Sequence, residues 1–316
     1  MRGVRGAVVI AVVLAAASLS PAAAEVRPLV SDLPRAADLA ASPAGQSVAC
    51  VDQASGAIVL LDPRHPGTER VAVDPPAAGQ PVPVALGFVD DTVLAAVCRA
   101  GEEWSLRTWR LRADAAVEAS AAMQTVALPR GDGEPAAVHL VVGRARGWLA
   151  VTGLDPLVVR APLAGVSVGR FSARHCPRVA AGSLPVAAAV GPGGELVVCT
   201  AESGPDGTTD AVAYYGVDGG RLLDLGTGLR GIRDLAFAPD GSAVYVVAAA
   251  SGSADAPAGL WRLDASLEDG RQAIRPRLVA PLDEPVAVAC PAPTLIVVAH
   301  GSPERVVAQV EPEVAP

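Results

Sequence analysis

The chain has 316 residues, of which 51% are hydrophobic and 18% charged, so it is long enough to bury a sizeable core. Its hydrophobic residues are mostly Ala and Val, since aromatic residues make up only 3%. All 25 basic residues are Arg and no Asn occurs, which excludes a Walker phosphate loop, a Schiff-base lysine and an N-glycosylation site. The net charge of -8 argues against a nucleic-acid-binding protein, which needs a basic surface.

Residues 1–24 predict an export signal. Arg2 and Arg5 precede an apolar run from Ala7 to Ala17, and Ala22–Ala24 supplies small residues at the expected cleavage site. The apolar run is shorter than the roughly 20 residues that a membrane-spanning helix needs. We therefore expect a periplasmic or secreted protein without a transmembrane segment, whose mature chain begins at Glu25.

Six copies of one pattern fill residues 25–316, and each copy consists of a strand, a tight turn, a second strand, a variable loop and two further strands. The clearest copy begins at Ile232, with Pro239-Asp240-Gly241 as its tight turn. The first turns of the six copies lie near Pro43, Asp90, Ala145, Pro192, Pro239 and Ala292. A β-sandwich would explain the alternation but not a repeat of about 50 residues. The pattern predicts an all-β fold, a six-bladed β-propeller with four strands in each blade.

The sixth copy reaches the C-terminus with three strands, which would leave the outer edge of the last blade unpaired. The segment 25–33, EVRPLVSDL, resembles the fourth strand of the clearest copy, AIRPRLVAPL. Because an unpaired edge and an open ring are both unfavourable, we expect this N-terminal strand to complete the last blade and close the ring. The propeller then occupies the whole of 25–316 as one domain, which we expect to be a monomer.

The run Leu235–Gly241, with LWRLDAS after it, resembles the WD-like Pro-Asp-Gly repeats of the TolB-type propellers of bacterial cell envelopes. The likeness is partial in the copies that begin near Ala36 and Pro185, and elsewhere it is limited to the strand pattern. TolB-type proteins carry an additional N-terminal domain for which this chain has no room. The resemblance implies a propeller in the cell envelope.

Several residues invite a catalytic interpretation. The segment from Gly165 to Gly169 matches the G-x-S-x-G nucleophile elbow, but that motif requires a strand-to-helix turn, whereas here it falls between the third and fourth strands of a blade. The five cysteines are an odd number, and we expect most to be small buried thiols that fill the space between blades. Cys176, between His175 and Pro177, is a candidate reactive thiol.

Of the four histidines, His139 lies within a first strand, which lines the central channel, so it is the one that could face a ligand. Six-bladed lactonases and esterases hold a metal in this channel with Asn among the ligands, and this chain has no Asn. Asp or Glu could substitute, so a metal-dependent hydrolase or lyase with its site in the channel is the alternative function. For the leading hypothesis, a non-catalytic binding propeller, we predict no cofactor.

Acidic residues are concentrated in the loops that join second to third strands and one blade to the next, and these loops emerge on one face of a propeller. They are Glu102, Glu103, Asp132, Glu134, Asp155, Glu202, Asp206, Asp210, Asp255, Asp283 and Glu284. A concave surface of one sign attracts partners of the opposite charge. We therefore expect an exported, non-catalytic propeller that binds an envelope protein or peptide, of basic character, through this acidic face.

Overall fold

The structure is a computed structural model that describes residues 24–30, 36–111, 122–129, 137–154, 159–171, 184–201, 210–215, 221–251, 257–301 and 306–311. These residues form 24 strands in six antiparallel four-stranded sheets, with one short 3₁₀ helix at Arg144–Arg146. The expected six-bladed propeller is confirmed. Within the described residues, no helix has the length and apolar character needed to cross a membrane.

The blades follow one another along the chain, and the first strand of each lies at the centre of the ring. Blade 1 comprises β2 (Ala36–Ala41), β3 (Val48–Asp52), β4 (Ile58–Leu61) and β5 (Arg70–Val73). Blade 2 comprises β6 (Val82–Asp90), β7 (Val93–Ala100), β8 (Glu103–Arg110) and β9 (Gln124–Ala127). Blade 3 comprises β10 (His139–Gly143), β11 (Trp148–Thr152), β12 (Val159–Ala164) and β13 (Ser167–Val168).

The other three blades repeat this order. Blade 4 comprises β14 (Leu184–Val190), β15 (Leu196–Ala201), β16 (Ala211–Tyr215) and β17 (Arg221–Gly226). Blade 5 comprises β18 (Leu229–Phe237), β19 (Val244–Ser251), β20 (Gly259–Glu268) and β21 (Arg271–Pro281). Blade 6 comprises β22 (Ala287–Ala292), β23 (Leu295–His300), β24 (Val306–Val310) and the N-terminal β1 (Val26–Val30).

The N-terminal strand closes the ring, as the sequence predicts. Strand β1 pairs antiparallel with β24, with Val26 opposite Val310, and thereby covers the outer edge of blade 6. The side chains of Leu29 and Val30 are buried in the apolar cluster that joins blades 6 and 1. Closure therefore supplies backbone hydrogen bonds and apolar burial together.

Six apolar clusters hold the ring together, one in each seam between neighbouring blades. They are built mainly from Ala, Val and Leu, as the composition requires. Small side chains allow neighbouring sheets to approach closely at the centre of the ring, where the inner strands contact one another in sequence around the channel.

The turns between first and second strands lie on one face of the ring, which we call the turn face. In blade 5 the backbone N–H of Gly241, at φ +74°, donates to the Ala238 carbonyl, and the Asp240 carboxylate accepts from the Ser242 amide at 3.0 Å. The Pro-Asp-Gly sequence thus encodes a compact turn. A Cβ atom at Gly241 would stand 2.7 Å from the Pro192 ring in the turn of blade 4, so the turns of neighbouring blades also pack against one another.

Candidate functional site

A cavity of about 340 Å³ occupies the centre of the ring and is lined by all six inner strands. Its lining runs from Asp38, His139 and Asp234 to the first turns, among them Pro43 and Pro192. The cavity therefore opens on the turn face. The connections between blades emerge on the opposite side, which we call the loop face.

Asp38 lies at the inner end of the cavity, where the pairing of β2 with β3 is interrupted between Ala36 and Leu39. Such an irregularity can redirect a side chain. The Asp38 carboxylate accepts a hydrogen bond of 2.6 Å from the Leu86 amide in blade 2, so it links two blades. Burial is the main cause that raises the pKa of Asp38, to about 7.

Asp234 holds the corresponding position in blade 5, again beside an interruption of the strand pairing. Its carboxylate accepts hydrogen bonds from the amides of Leu235 at 2.8 Å and of Val288, in blade 6, also at 2.8 Å. Burial raises the pKa of Asp234 well above its ordinary value, and the nearby charge of Asp38 raises it further. The two carboxyl groups therefore influence each other across the channel.

His139 lies in the channel, as the sequence indicates, and its side chain is 12% exposed. Its Nε2 is 2.7 Å from the Val186 carbonyl oxygen of blade 4, so Nε2 carries the proton and donates. Nδ1 is then an acceptor, and it lies 3.7 Å from Oδ1 of Asp234. Burial lowers the pKa of His139 to about 4, so the ring is neutral near pH 7.

The lining between this inner end and the mouth is mixed, and its exposed surface is more polar than apolar. Leu39, Leu86, Leu140 and Leu235 contribute to it, but their side chains are packed in the apolar clusters between blades. The polar residues at the inner end would determine the orientation of a ligand in such a site.

Arg144 lies at the mouth, where its Nη1 donates to the Phe88 carbonyl at 3.4 Å. Desolvation lowers the pKa of Arg144, and the charge of Asp91 acts in the opposite direction.

Within the described residues, only alternate blades place a polar residue at the level of Asp38 and Asp234. Asp38 and Asp234 each lie five positions before the turn proline of their blade, and His139 lies six positions before Ala145. The residues five positions before the turns of blades 2, 4 and 6 are Ala85, Ala187 and Ala287, all almost completely buried. The polar residues therefore link blades 1 to 2, 3 to 4 and 5 to 6.

The acidic residues predicted for the loop face do not behave as one group. Glu102, Glu103, Asp283 and Glu284 are exposed, the first two at a tight hairpin that ends as β8 begins. Asp132, Glu134, Asp155, Glu202, Asp206 and Asp255 lie outside the described residues. A continuous acidic surface is therefore untested.

Asp210 is buried between blades 4 and 5 and is not exposed on the loop face. It is 4% exposed, and its carboxylate accepts a 2.6 Å hydrogen bond from the Ile232 amide in blade 5. Burial raises its pKa. A buried carboxyl that joins two blades cannot contribute to an exposed binding face, so the expectation for Asp210 is wrong.

The other candidate residues from the sequence lie away from the central cavity, in the apolar clusters between blades, or outside the described residues. Gly165 and Val166 form the turn between β12 and β13, and Ser167 begins β13, so the G-x-S-x-G segment is part of a hairpin. Cys50, Cys98, Cys199 and Cys290 are buried and free, as expected, whereas His175 and Cys176 lie outside the described residues. His65 is exposed and pairs with Asp62.

The described residues contain no group of three or more His, Cys, Asp and Glu side chains placed to hold a metal ion. The metal-dependent alternative therefore has no support in this part of the chain.

Comparisons with known proteins identify the fold but not a family. No protein-family model and no curated protein matches the sequence. A solved structure described as that of U3-55K is similar, with a TM-score of 0.61 and 13% sequence identity, over 92% of this chain and 98% of that chain. Because 734 chains of solved structures match, this likeness cannot select one function.

Proposed function

We propose that the protein is a non-catalytic binding scaffold whose principal site is the central cavity. The observation that carries this proposal is the cavity itself: all six blades contribute to its lining, and its inner end has three convergent polar side chains. A preformed concave site with a few convergent polar groups is characteristic of binding sites. His139 contacts the Val186 carbonyl at 2.7 Å and Asp234 at 3.7 Å. Burial raises the pKa of the Cys290 thiol that lines the same cavity, so this thiol is not activated as a nucleophile.

We further propose that binding takes place outside the cytoplasm. The basic, apolar and small-residue segments of 1–24 support export, and the TolB-like turn of blade 5 agrees with a cell-envelope location. The partner or ligand would then be an envelope component, such as a protein or peptide that presents a group to the turn face.

The loop face is a second candidate surface because Glu102, Glu103, Asp283 and Glu284 are exposed there. These four carboxylates would attract a basic partner and increase its association rate at low salt. Contact with the loop face and occupation of the cavity would be separate events, since the cavity opens on the opposite side.

Two matched substitutions distinguish the surfaces. Ala145→Trp would cover the cavity mouth, because Ala145 is exposed and lines it, whereas Ala78→Trp adds the same group to an exposed site away from the cavity. Capture of partners from an envelope extract should fail with Ala145→Trp and persist with Ala78→Trp. If Glu102→Ser with Glu103→Ser abolishes capture and Ala145→Trp does not, the loop face is the principal site.

A further inference from the structure

We propose that the inner end of the central cavity binds the ammonium group of a small organic cation. This inference rests on the proposed binding function and adds the chemical class of the ligand. Its basis is an excess of hydrogen-bond acceptors over donors at the inner end of the cavity.

The acceptors are the carboxylates of Asp38 and Asp234 and the Nδ1 atom of His139. Asp38 and Asp234 are 9% and 6% exposed, and both line the cavity. Among the described residues, no arginine pairs with either carboxyl group, and the nearest basic group recorded is His139, 3.7 Å from Asp234. Charge compensation at this level must therefore come from a proton or from a ligand.

The donors at the same level are already used. The amides of Leu86, Leu235 and Val288 donate to the carboxylates, and His139 Nε2 donates to Val186. The remaining Nδ1 atom lies beyond hydrogen-bonding distance from Asp234. A ligand that brings N–H donors would satisfy these acceptors, whereas an anion would meet two carboxyl groups.

The rest of the lining favours an organic cation over a metal ion. The described residues provide no set of three side chains placed for metal coordination. The partly buried Val142 lines the cavity between the inner end and the mouth, and it would contact a methylene group of the ligand. A volume of about 340 Å³ is within the range of small-molecule sites and also admits one long side chain.

The charged groups around the site give binding a characteristic pH dependence. Burial raises the pKa values of Asp38 and Asp234, so binding of a cation should release protons from them. Affinity should therefore increase as the pH rises from about 6 to 8. His139, with its pKa lowered to about 4, stays neutral over this range, and burial also keeps the Cys290 thiol protonated. Arg144, which keeps its charge, lies at the mouth.

The experiment compares ligands of one length on the unaltered protein. Calorimetric titration with n-hexylamine, 1-hexanol and hexanoate should show at least about tenfold tighter binding of the amine. The amine should bind more tightly at pH 8 than at pH 6 and should release protons, as judged from titrations in buffers with different ionisation enthalpies. Asp234→Asn should remove the preference, and Asp283→Asn, an exposed change on the loop face, should retain it.

The possible outcomes separate this inference from the proposed function. Equal binding of hexanol and hexylamine would overturn the cationic class and leave the cavity as a binding site. If none of the three ligands binds and Ala145→Trp does not affect capture of partners from an envelope extract, both the cationic ligand class and the proposed cavity site are wrong. Tight binding of Ca²⁺ or Zn²⁺ at Asp38 and Asp234 would replace the organic cation with a metal.

A peptide with a single central lysine, tested beside hexylamine, identifies the source of the ammonium group. Tighter binding of the peptide indicates a partner protein, and tighter binding of the amine indicates a free metabolite; binding of neither peptide nor amine overturns the proposal.

Discussion

The six seams of the ring fall into two alternating sets. The seams between blades 1 and 2, 3 and 4, and 5 and 6 contain a buried titratable side chain at the channel: Asp38, His139 or Asp234. The seams between blades 2 and 3, 4 and 5, and 6 and 1 contain Ala at the corresponding position. The molecule therefore repeats every two blades at its centre, although its strand pattern repeats with every blade.

The second set of seams is joined by contacts farther from the channel level. Gln124 exchanges hydrogen bonds of 2.7 and 2.9 Å with the backbone of Val168, which joins the outer strands of blades 2 and 3. Asp210 joins blades 4 and 5 through the Ile232 amide. The Gly67 amide donates to the Leu29 carbonyl at 3.2 Å, which joins blades 1 and 6.

This alternation has a physical reason. A polar side chain from every blade would place six desolvated groups at one level of a narrow channel, and each would need its own partner. Three polar residues can each reach a backbone group in the next blade, and alanine in the other seams keeps those seams closely packed. The cavity and its polar end are thus a consequence of how the blades are joined.

Deletion of residues 25–33 should have the largest effect, since it removes the strand that completes blade 6 and closes the ring. It removes β1, exposes the edge of β24 and withdraws Leu29 and Val30 from the cluster between blades 6 and 1. Burial of two such side chains alone contributes about 3–6 kcal/mol. We expect thermal unfolding to occur at least roughly 10 °C lower, measured by circular dichroism.

Arg27→Ala is the control for this deletion, because Arg27 is in β1 but exposed. It should leave the midpoint nearly unchanged. A deletion variant that unfolds at the same temperature as the intact chain would show that β1 contributes nothing to ring closure.

Placing an acid in a seam of the second set tests whether the alternation is a packing requirement. Ala85→Asp puts a carboxyl group into the apolar cluster between blades 2 and 3, where Ala85 is completely buried. We expect a loss of about 3–5 kcal/mol in the free energy of unfolding, because an uncompensated charge is desolvated there. Urea unfolding would measure the change.

Ala78→Asp introduces the same residue at an exposed position and should change stability by less than about 0.5 kcal/mol. Similar stability of the two variants would mean that either set of seams can accept a polar residue, and the alternation would then have no energetic basis.

The pH dependence of stability should distinguish the two kinds of titratable group in the first set of seams. Asp38 has a pKa of about 7 in the folded protein, so it holds a proton that the unfolded chain releases between about pH 4 and 7, and its contribution to stability falls as the pH rises. His139 has a pKa of about 4, so its contribution rises over roughly pH 4 to 6.5.

Two conservative substitutions separate these opposing contributions. Relative to the unaltered protein, Asp38→Asn should gain stability as the pH increases from 4.5 to 6.5, by up to about 1.4 kcal/mol per pH unit. His139→Gln, which retains an N–H donor for the Val186 carbonyl, should lose relative stability over the same range. Unfolding by urea at several pH values gives both slopes, and equal slopes for the two variants would contradict the assigned pKa directions.

The sequence predicts the ring well because the same pattern of strands and turns occurs six times along the chain. Six turns, alternating strands and the unpaired sixth copy together determine blade number and closure. His139 could be assigned to the channel because it lies within a first strand. Asp38 and Asp234 could also have been identified, since each is an acidic residue within a first strand, five residues before a turn proline.

The binding face was harder to predict because it depends on side-chain direction. Asp210 lies in a polar segment and resembles a loop acid, yet its carboxylate turns inward to the Ile232 amide. No local pattern indicates this contact, which joins residues in two different blades. The size of the cavity likewise depends on how six strands approach one another.

Thiol labelling should reveal small differences in how readily individual seams open. Cys98 lies between blades 1 and 2, and Cys199 lies between blades 4 and 5, so each reports on one set of seams. Burial raises the pKa of Cys98 to about 12 and that of Cys199 well above its ordinary value. Both should react with iodoacetamide only when their seam opens.

Asp38→Asn replaces the buried acceptor that joins blades 1 and 2, the seam in which Cys98 lies, and leaves the surroundings of Cys199 unchanged. We therefore expect labelling of Cys98 to accelerate about two- to fivefold, a change of less than about 1 kcal/mol in local opening, while Cys199 retains its rate. Mass spectrometry after timed iodoacetamide exposure gives both rates from one sample, and denatured, unreduced protein should show at least the four free thiols of Cys50, Cys98, Cys199 and Cys290. Equal acceleration at Cys98 and Cys199 would mean that the ring opens as one unit. A selective change at Cys98 would mean that each seam opens independently, with the polar contacts at the channel controlling the first set.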